Sequence, residues 1–207
     1  VLKEVYNADT CALVPGSGTF GMEAVARQFA NQENCLILRN GWFSYRWTQI
    51  FEMGHFAGDL HVLKAKRLGD TYQSPFMPHP IEDVVAFIKN EKPAVVFAPH
   101  VETSAGIILP DDYLKQVGDA IHSVGGLFVL DCVASGAMWV DMKECGVDIL
   151  ITAPQKGWSS SPCCAMVCLS TLAREKMEQT TSSSYAIDLK KWTQITEAYA
   201  TTSFVYH

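Results

Sequence analysis

Short apolar runs alternate along this chain with segments of helical periodicity. Uniformly apolar runs lie at 35–38, 94–98, 127–130, 149–152 and 165–169. Such runs predict strands covered on both faces of a sheet, because a strand with one wet face would alternate apolar and polar residues. Between the runs, segments 81–88 and 114–124 carry apolar side chains at helical spacing and predict crossover helices. This alternation predicts an α/β fold with a mostly parallel sheet, whose ligands bind at the carboxyl ends of the strands.

The composition limits the possible functions of the chain. Its 207 residues are 48% hydrophobic and 18% charged, which suffices for one globular domain with a sizeable core. The formal net charge is -6 and the longest basic cluster is the short 64–67 (KAKR), so no extended cationic surface exists to bind nucleic acid. No run approaches the roughly 20 apolar residues of a membrane span, and no signal-peptide pattern opens the chain. We therefore expect a cytoplasmic protein that binds neither nucleic acid nor membranes.

The seven cysteines include no CxxC pair and no Cys/His pair at zinc spacing. Most lie in or beside apolar runs, namely Cys35, Cys132, Cys163, Cys164 and Cys168. We expect reduced thiols in a reducing compartment and no metal site.

A glycine-rich turn at 16–21 follows the apolar run 11–14 and opens a helical segment at 22–30. A turn of this kind presents free backbone N–H groups at the positive end of a helix, which suits a phosphate. The glycines also satisfy the GxGxxG pattern, but a dinucleotide site needs an acidic residue roughly 20 positions on to hold the ribose. The corresponding segment 36–40 (LILRN) has none. A turn that merely connects two elements remains an alternative at this point.

Two charged residues stand at the carboxyl ends of predicted strands. Asp131 directly follows the run 127–130, and Lys156 lies in the loop after 149–152. A buried carboxylate needs a cationic or hydrogen-bonding partner, so Asp131 could also be a helix cap or part of a structural ion pair. Lys156 could likewise be a solvated surface charge. Together with a phosphate-binding turn, however, an amine and a carboxylate are what an enzyme dependent on pyridoxal phosphate (PLP) requires.

Five motifs in this order resemble the class V aminotransferases, closest to the alanine–glyoxylate and serine–glyoxylate type. They are 16–24 (GSGTFGMEA), 40–43 (NGWF), 100–106 (HVETSAG), 131–135 (DCVAS) and 153–158 (APQKGW). The resemblance implies the type I PLP-dependent transferase fold, with a mixed, mainly parallel sheet covered by helices on both faces. It also implies that residues 1–207 are the PLP-binding large domain of a homodimer.

The resemblance assigns residues to the cofactor phosphate. It implies that Ser17, Gly18, Thr19 and Gln155 contact this phosphate within one subunit. Tyr206 resembles the start of a segment that reaches the phosphate of the neighbouring subunit.

Other residues are assigned to the cofactor ring. The resemblance implies that Asp131 pairs with the pyridine nitrogen and that Lys156 is the Schiff-base lysine. Thr103 would hydrogen-bond near the ring hydroxyl. Val133 would pack beneath the ring, and Phe43 would stack on its other face. From the residues alone, Val133 could be an ordinary core valine and Phe43 a core aromatic of an amphipathic helix.

The implied activity is ping-pong transfer of an amino group from a small amino acid, of alanine or serine type, to a 2-oxo acid such as glyoxylate or pyruvate. Other class V activities stay open, namely aminophosphonate or ureidoglycine aminotransferases, lyases and desulfurases. A nicotinamide-dependent oxidoreductase and a non-catalytic binding module are alternatives from other classes.

The family's N-terminal arm and its C-terminal small domain, which carries the arginine for the substrate carboxylate, are not evident in this chain. The chain begins with Val1 and ends in the aromatic-rich 204–207 (FVYH), so we expect it to be an excerpt from a longer protein. Arg46 lies near the cofactor motifs, where we expect it to form a helix-surface ion pair.

Overall fold

The computed structural model describes residues 1–201. The helices are α1 (Leu2–Tyr6), α2 (Gly18–Phe29), α3 (Trp42–Gly54), α4 (Ile81–Glu91), α5 (Asp111–Ser123), α6 (Met142–Cys145), α7 (Thr171–Gln179) and α8 (Leu189–Thr201). The strands are β1 (Thr10–Pro15), β2 (Cys35–Arg39), β3 (Leu60–Lys64), β4 (Lys66–Arg67), β5 (Phe76–Met77), β6 (Val95–Pro99), β7 (Val101–Glu102), β8 (Ile107–Ile108), β9 (Leu127–Asp131), β10 (Ile149–Thr152) and β11 (Cys164–Leu169).

One large sheet dominates the described part of the chain, with the strand order β1-β11-β10-β9-β6-β2-β3. The five strands from β10 to β3 are parallel to their neighbours. In contrast, β11 runs antiparallel to both β10 and β1. The expected α/β fold with a mixed, mainly parallel sheet is therefore confirmed.

The sheet is covered on both faces, because alternate residues of its central strands point into two separate cores. On one face, Phe97 and Val129 pack with side chains from α2, α3 and α7. On the other face, Val96 and Leu130 pack with side chains from α1, α4, α5 and α6. This two-sided burial explains why these strands are uniformly apolar in sequence.

All five apolar runs predicted as strands are strands in the structure, with ends that differ by one residue at most. The structure adds β3, which the apolar runs did not reveal. This strand is at an edge of the sheet and is only half-buried, and it carries His61 and Lys64. An edge strand is solvated along one side and does not need an uninterrupted apolar sequence.

Helix α2 lies very close to the sheet. A Cβ atom on Gly21 would stand 2.7 Å from the Cβ of Ala165 and 3.0 Å from Cγ2 of Ile151. Only glycine therefore permits this approach, which seats the start of α2 directly above β10 and β11.

The opposite edge of the sheet, strand β1, is covered by α8. The backbone N–H of Leu13 donates to Oγ1 of Thr196 at 3.1 Å, and the hydroxyl of Thr10 donates to Glu197 at 3.2 Å. Helix α8 thus occupies the side of β1 that no other described strand pairs with.

The cysteines of the described chain are free thiols. Cys11 and Cys168 lie opposite each other on β1 and β11, with their sulfur atoms 3.2 Å apart. No helix within residues 1–201 has the length and apolar character needed to cross a membrane.

Candidate active site

A cleft of about 190 Å³ opens at the carboxyl ends of the parallel strands. The start of α2, the first turns of α3, the loop after β9 and the loop after β10 form its walls, together with the β7–β8 hairpin. Its lining residues are Ser17, Gly18, Thr19, Met22, Phe43, Arg46, Val101, Thr103, Asp131, Val133, Ala134, Gln155 and Lys156. The structure thus brings together nine of the ten residues that the sequence assigned to the cofactor; the tenth, Tyr206, lies outside the described residues.

The N-terminus of α2 forms one end of the cleft. The first N–H groups of a helix have no acceptor within the helix and are free to bind an anion. Ser17, which precedes α2, makes no side-chain cap hydrogen bond, so its hydroxyl does not compete for these groups. A Cβ on Gly18 would come within 2.7 Å of Cγ2 of Val133. The backbone at this end therefore lies close against the loop that follows β9.

Asp131 ends β9 at the floor of the cleft, and only 8% of it is exposed. Its Oδ1 accepts the N–H of Val133 at 2.9 Å. Burial raises the pKa of Asp131 to about 6, while the hydrogen bond from Val133 and the charge of Arg46 oppose the rise. A cation or an N–H donor placed in the cleft would stabilise the ionised carboxylate further.

Lys156 lies in the loop after β10, with its exposed side chain on the cleft. The loop is held by backbone hydrogen bonds, one from Ser159 N–H to the carbonyl of Lys156 at 3.2 Å. Next to the lysine, a Cβ on Gly157 would collide with the carbonyl oxygen of Gly136. The loops that follow β9 and β10 therefore pack backbone against backbone, which fixes Lys156 relative to Asp131.

The resemblance assigned Phe43 to the cofactor ring, and Trp42 stands next to it in the sequence. The structure places Phe43 on the cleft, whereas Trp42 is 66% exposed and lies on a separate surface depression of about 650 Å³. That depression is larger than the cleft but includes neither Lys156 nor Asp131. The chemical groups therefore identify the smaller cleft as the candidate site.

The expectation for Arg46 is wrong. Arg46 takes part in none of the ion pairs formed within residues 1–201, and it lines the cleft one turn of α3 beyond Phe43. Its guanidinium carbon lies 5.7 Å from the centre of the Phe43 ring. The sequence could not show this, because a single arginine in an amphipathic helix gives no indication of which cavity its face borders.

Gln155 carries an unsatisfied polar atom at the cleft. Its Oε1 is buried without a hydrogen-bond partner among residues 1–201. Because a side-chain amide can be rotated to exchange its oxygen and nitrogen, the same position can present an N–H donor to a ligand. With the N-terminus of α2, this orphaned amide suits a phosphate. The amine of Lys156 and the carboxylate of Asp131 complete a set of groups that fits PLP.

Sequence reasoning gave no role to two buried polar residues beside the cleft. His100 follows β6, and its Nδ1 lies 2.7 Å from Oγ of Ser135, in the loop after β9. Glu102, on β7, is fully buried and accepts hydrogen bonds from α3. The available signal was their position within three residues of the carboxyl end of β6, where polar groups converge.

Comparison with known proteins agrees with the fold and the cleft. The class-V aminotransferase family model matches residues 72–204. The chain belongs to the class-V aminotransferase family.

Among characterised relatives, the L-aspartate–glyoxylate aminotransferase of Paracoccus denitrificans is 30% identical over 80% of this chain and 40% of its own length. The (S)-ureidoglycine–glyoxylate transaminase of Bacillus subtilis is 32% identical over 75% of this chain and 35% of its own length. The chain thus spans less than half the length of these relatives.

A solved structure of an alanine–glyoxylate aminotransferase from Nostoc sp. has a TM-score of 0.77 and 25% identity, and it covers 100% of this chain and 52% of its own. The fold of the chain is that of the PLP-dependent aminotransferases.

Proposed function

We propose that the chain is the cofactor-binding part of a PLP-dependent aminotransferase that transfers an amino group from a small amino acid, of alanine or serine type, to a 2-oxo acid such as glyoxylate or pyruvate. One observation carries the proposal: Lys156, Asp131 and the N-terminus of α2 converge on a single cleft in a chain of this family. A surface lysine or a structural aspartate would not require this convergence.

Each group has a part in that chemistry. PLP, when bound, supplies an electron sink that stabilises negative charge at the substrate Cα. Asp131 would hold a proton on the pyridine nitrogen, and the cost of burying its carboxylate would fall as that pair forms. Lys156 would supply the amine that attaches the cofactor and that moves the proton at the substrate Cα. Phe43 and Val133 would confine the ring from its two sides.

The phosphate end would be held by neutral donors and a helix N-terminus. Ser17, Gly18 and Thr19 stand at the start of α2, and Gln155 borders the same cleft. Thr103 stands on the cleft wall, from which its hydroxyl would reach the ring hydroxyl. These assignments rest on position in the cleft and on the family motifs that the residues match.

The choice of glyoxylate as an acceptor rests on the relatives. The relatives from P. denitrificans and B. subtilis are both named glyoxylate aminotransferases, and so is the Nostoc protein. Their amino donors differ, so the donor is the less constrained half of the proposal. No observation in the cleft favours a nicotinamide cofactor.

We further propose that residues 1–207 form the large domain of a homodimer in the cytoplasm. Large apolar side chains near the start of α2 and α3 are exposed, including Phe20 at 50% and Trp42 at 66%, and a second subunit would cover them. The free thiols of the described chain suit a reducing compartment.

The decisive experiment is borohydride reduction of the chain in the presence of PLP. We expect the visible absorbance band of bound cofactor before reduction, and covalent cofactor on Lys156, located by peptide mapping, afterwards. Lys156→Ala should lose the covalent label, whereas Lys89→Ala, an exposed lysine on α4, should keep it. A label on another lysine, or no cofactor band in the unaltered chain, would contradict the proposal.

A further inference from the structure

The carboxylate of Glu102 lies fully buried against the first turn of α3. Oε1 accepts the backbone N–H of Phe43 at 3.1 Å and the hydroxyl of Ser104 at 2.6 Å. Oε2 accepts the backbone N–H of Ser44 at 2.9 Å and its hydroxyl at 2.6 Å. All four hydrogen bonds are charge-assisted, a class that is roughly twice as strong as neutral ones.

These hydrogen-bond donors, and not a cationic side chain, stabilise the charge of Glu102. No lysine or arginine of the described chain forms an ion pair with Glu102. Burial alone would raise the pKa of Glu102, but the hydrogen bonds from Ser104, Ser44 and Phe43 outweigh that effect and hold the pKa below its usual value. The carboxylate also meets the positive end of α3, which favours its ionised form.

The cap comes from a distant element rather than from α3 itself. Helix N-termini are usually capped by the residue just before them, but here that residue is Gly41, whose N–H donates to Ser44. A Cβ on Gly41 would stand 2.8 Å from Cγ of Glu102. Ser104 extends the link, because its hydroxyl accepts the N–H of Trp42 at 2.8 Å. The β7–β8 hairpin is thereby bonded to each of the first three residues of α3.

The first two turns of α3 form one wall of the cleft. Phe43 and Arg46 are three residues apart on α3, so they share a face, and both line the cleft. Thr103, between the two hairpin residues that cap the helix, lines the cleft from the opposite element. Displacement of the carboxylate would therefore shift both Phe43 on α3 and Thr103 on the hairpin.

We propose that Glu102 is a positioning residue, which acts on the cofactor ring through Phe43 by fixing the first turn of α3. The proposal rests on the proposed function, since it takes the ring of PLP as the group that Phe43 confines. Glu102 itself is not assigned a contact with cofactor or substrate.

The test is a double-mutant cycle on cofactor affinity. The dissociation constant for PLP is measured by absorbance titration for the unaltered chain, Glu102→Gln, Phe43→Ala and the double variant. Glutamine places an NH₂ group where an acceptor is needed, so one N–H of the turn loses its partner. We expect each single variant to weaken binding about tenfold, and Glu102→Gln to add less than about twofold once Phe43 is absent. The visible circular dichroism of the bound cofactor should diminish in the same pattern.

A matched control separates positioning from general stability. Asp148 is also a buried carboxylate with several donors, namely Phe128 N–H at 2.8 Å, Ser170 Oγ at 3.0 Å and His122 Nε2 at 2.8 Å, but it does not line the cleft. Asp148→Asn should lower the free energy of unfolding and leave the dissociation constant for PLP unchanged. Ser104→Ala, which removes one donor, serves if Glu102→Gln does not fold, and its smaller effect should vanish in the Phe43→Ala background.

The outcomes are distinct. Additive effects of Glu102→Gln and Phe43→Ala, or a loss of affinity in Asp148→Asn equal to that in Glu102→Gln, would overturn the positioning role. Absence of PLP binding by the unaltered chain would instead overturn the proposed function.

Discussion

At the scale of single residues, the ionisation of Asp131 depends on what the cleft contains. Its carboxylate is buried, and burial raises its pKa to about 6 against the opposing effects of Val133 and Arg46. A buried aspartate with only one hydrogen bond is costly to ionise. The buried carboxylate therefore lowers the stability of the cofactor-free protein, and a cationic partner in the cleft would reduce this cost.

Asp131→Asn should stabilise the cofactor-free chain at neutral pH. Because the pKa is raised from 3.8 to about 6, the folded state binds more protons than the unfolded state in this window, and stability falls as pH rises through it. Asparagine keeps an acceptor for Val133 and has no charge to bury. We expect a gain of roughly 1–3 kcal/mol at pH 7.5, measured by urea unfolding, and convergence with the unaltered chain near pH 4. A gain that is independent of pH would contradict the assignment.

The same substitution should impair the proposed activity. Without the carboxylate the pyridine nitrogen loses the group that keeps it protonated. We expect weaker binding of PLP in Asp131→Asn, in the same titration that is used for Glu102→Gln. Higher stability combined with unchanged affinity would mean that Asp131 does not meet the cofactor.

The sequence could identify the charged groups of the site but not their neighbours. Asp131 and Lys156 stand at strand ends in motifs whose spacing is informative by itself. The roles of Arg46 and Glu102 could not be predicted in this way, because they depend on which helix face borders the cleft and on a contact between residues 58 positions apart. Such pairings are set by tertiary packing, which a single sequence does not display.

At the scale of elements, the approach of α2 to the sheet decides where the phosphate end of the cleft lies. Gly21 permits the close contact with Ala165, so the helix N-terminus reaches the carboxyl edge of β10. Uniform apolar runs made the central strands predictable, and the absence of such a run hid β3. Strand order was not available from the pattern, because parallel pairing is set by crossovers rather than by local sequence.

Gly21→Ala should push α2 away from the sheet. We expect a loss of about 1–3 kcal/mol in the free energy of unfolding, as is usual for overpacking, and weaker binding of inorganic phosphate at the cleft. The compensating variant Gly21→Ala with Ala165→Gly removes the Cβ–Cβ contact. Its loss should be smaller than the sum of the two single losses, measured by urea unfolding. Additive losses would show that the contact does not set the packing of α2.

At the scale of the whole molecule, the two cores are separate clusters of side chains, but both are built on the same strands. Phe97 and Val96, for example, are neighbours on β6 that point into opposite cores. Loss of one core would leave the shared strands unsupported on one face. The chemical groups stand at one end of this common sheet, so their geometry depends on both cores.

The described chain should therefore unfold in one cooperative transition. Trp47 is buried in the core beneath α3, and Trp158 packs against the other core. The chain contains five tryptophans, so Trp42, Trp139 and Trp192 are first replaced by Phe. In that background, Trp47→Phe or Trp158→Phe leaves a single tryptophan, which reports on the opposite core. We expect coincident midpoints in urea by fluorescence and by far-ultraviolet circular dichroism. Two separated midpoints would show that one core persists without the other.

Because α8 covers the edge strand β1, it affects whether separate molecules aggregate. An uncovered edge strand offers a row of N–H and C=O groups on which a strand from another chain can pair. Thr196 accepts the outward N–H of Leu13, and α8 blocks the approach of such a strand. Removal of α8 should convert a dispersed protein into one that assembles into β-rich aggregates, seen by light scattering and thioflavin fluorescence. Leu13→Lys in the shortened chain should suppress the assembly, because a charged side chain on an edge strand repels its copies.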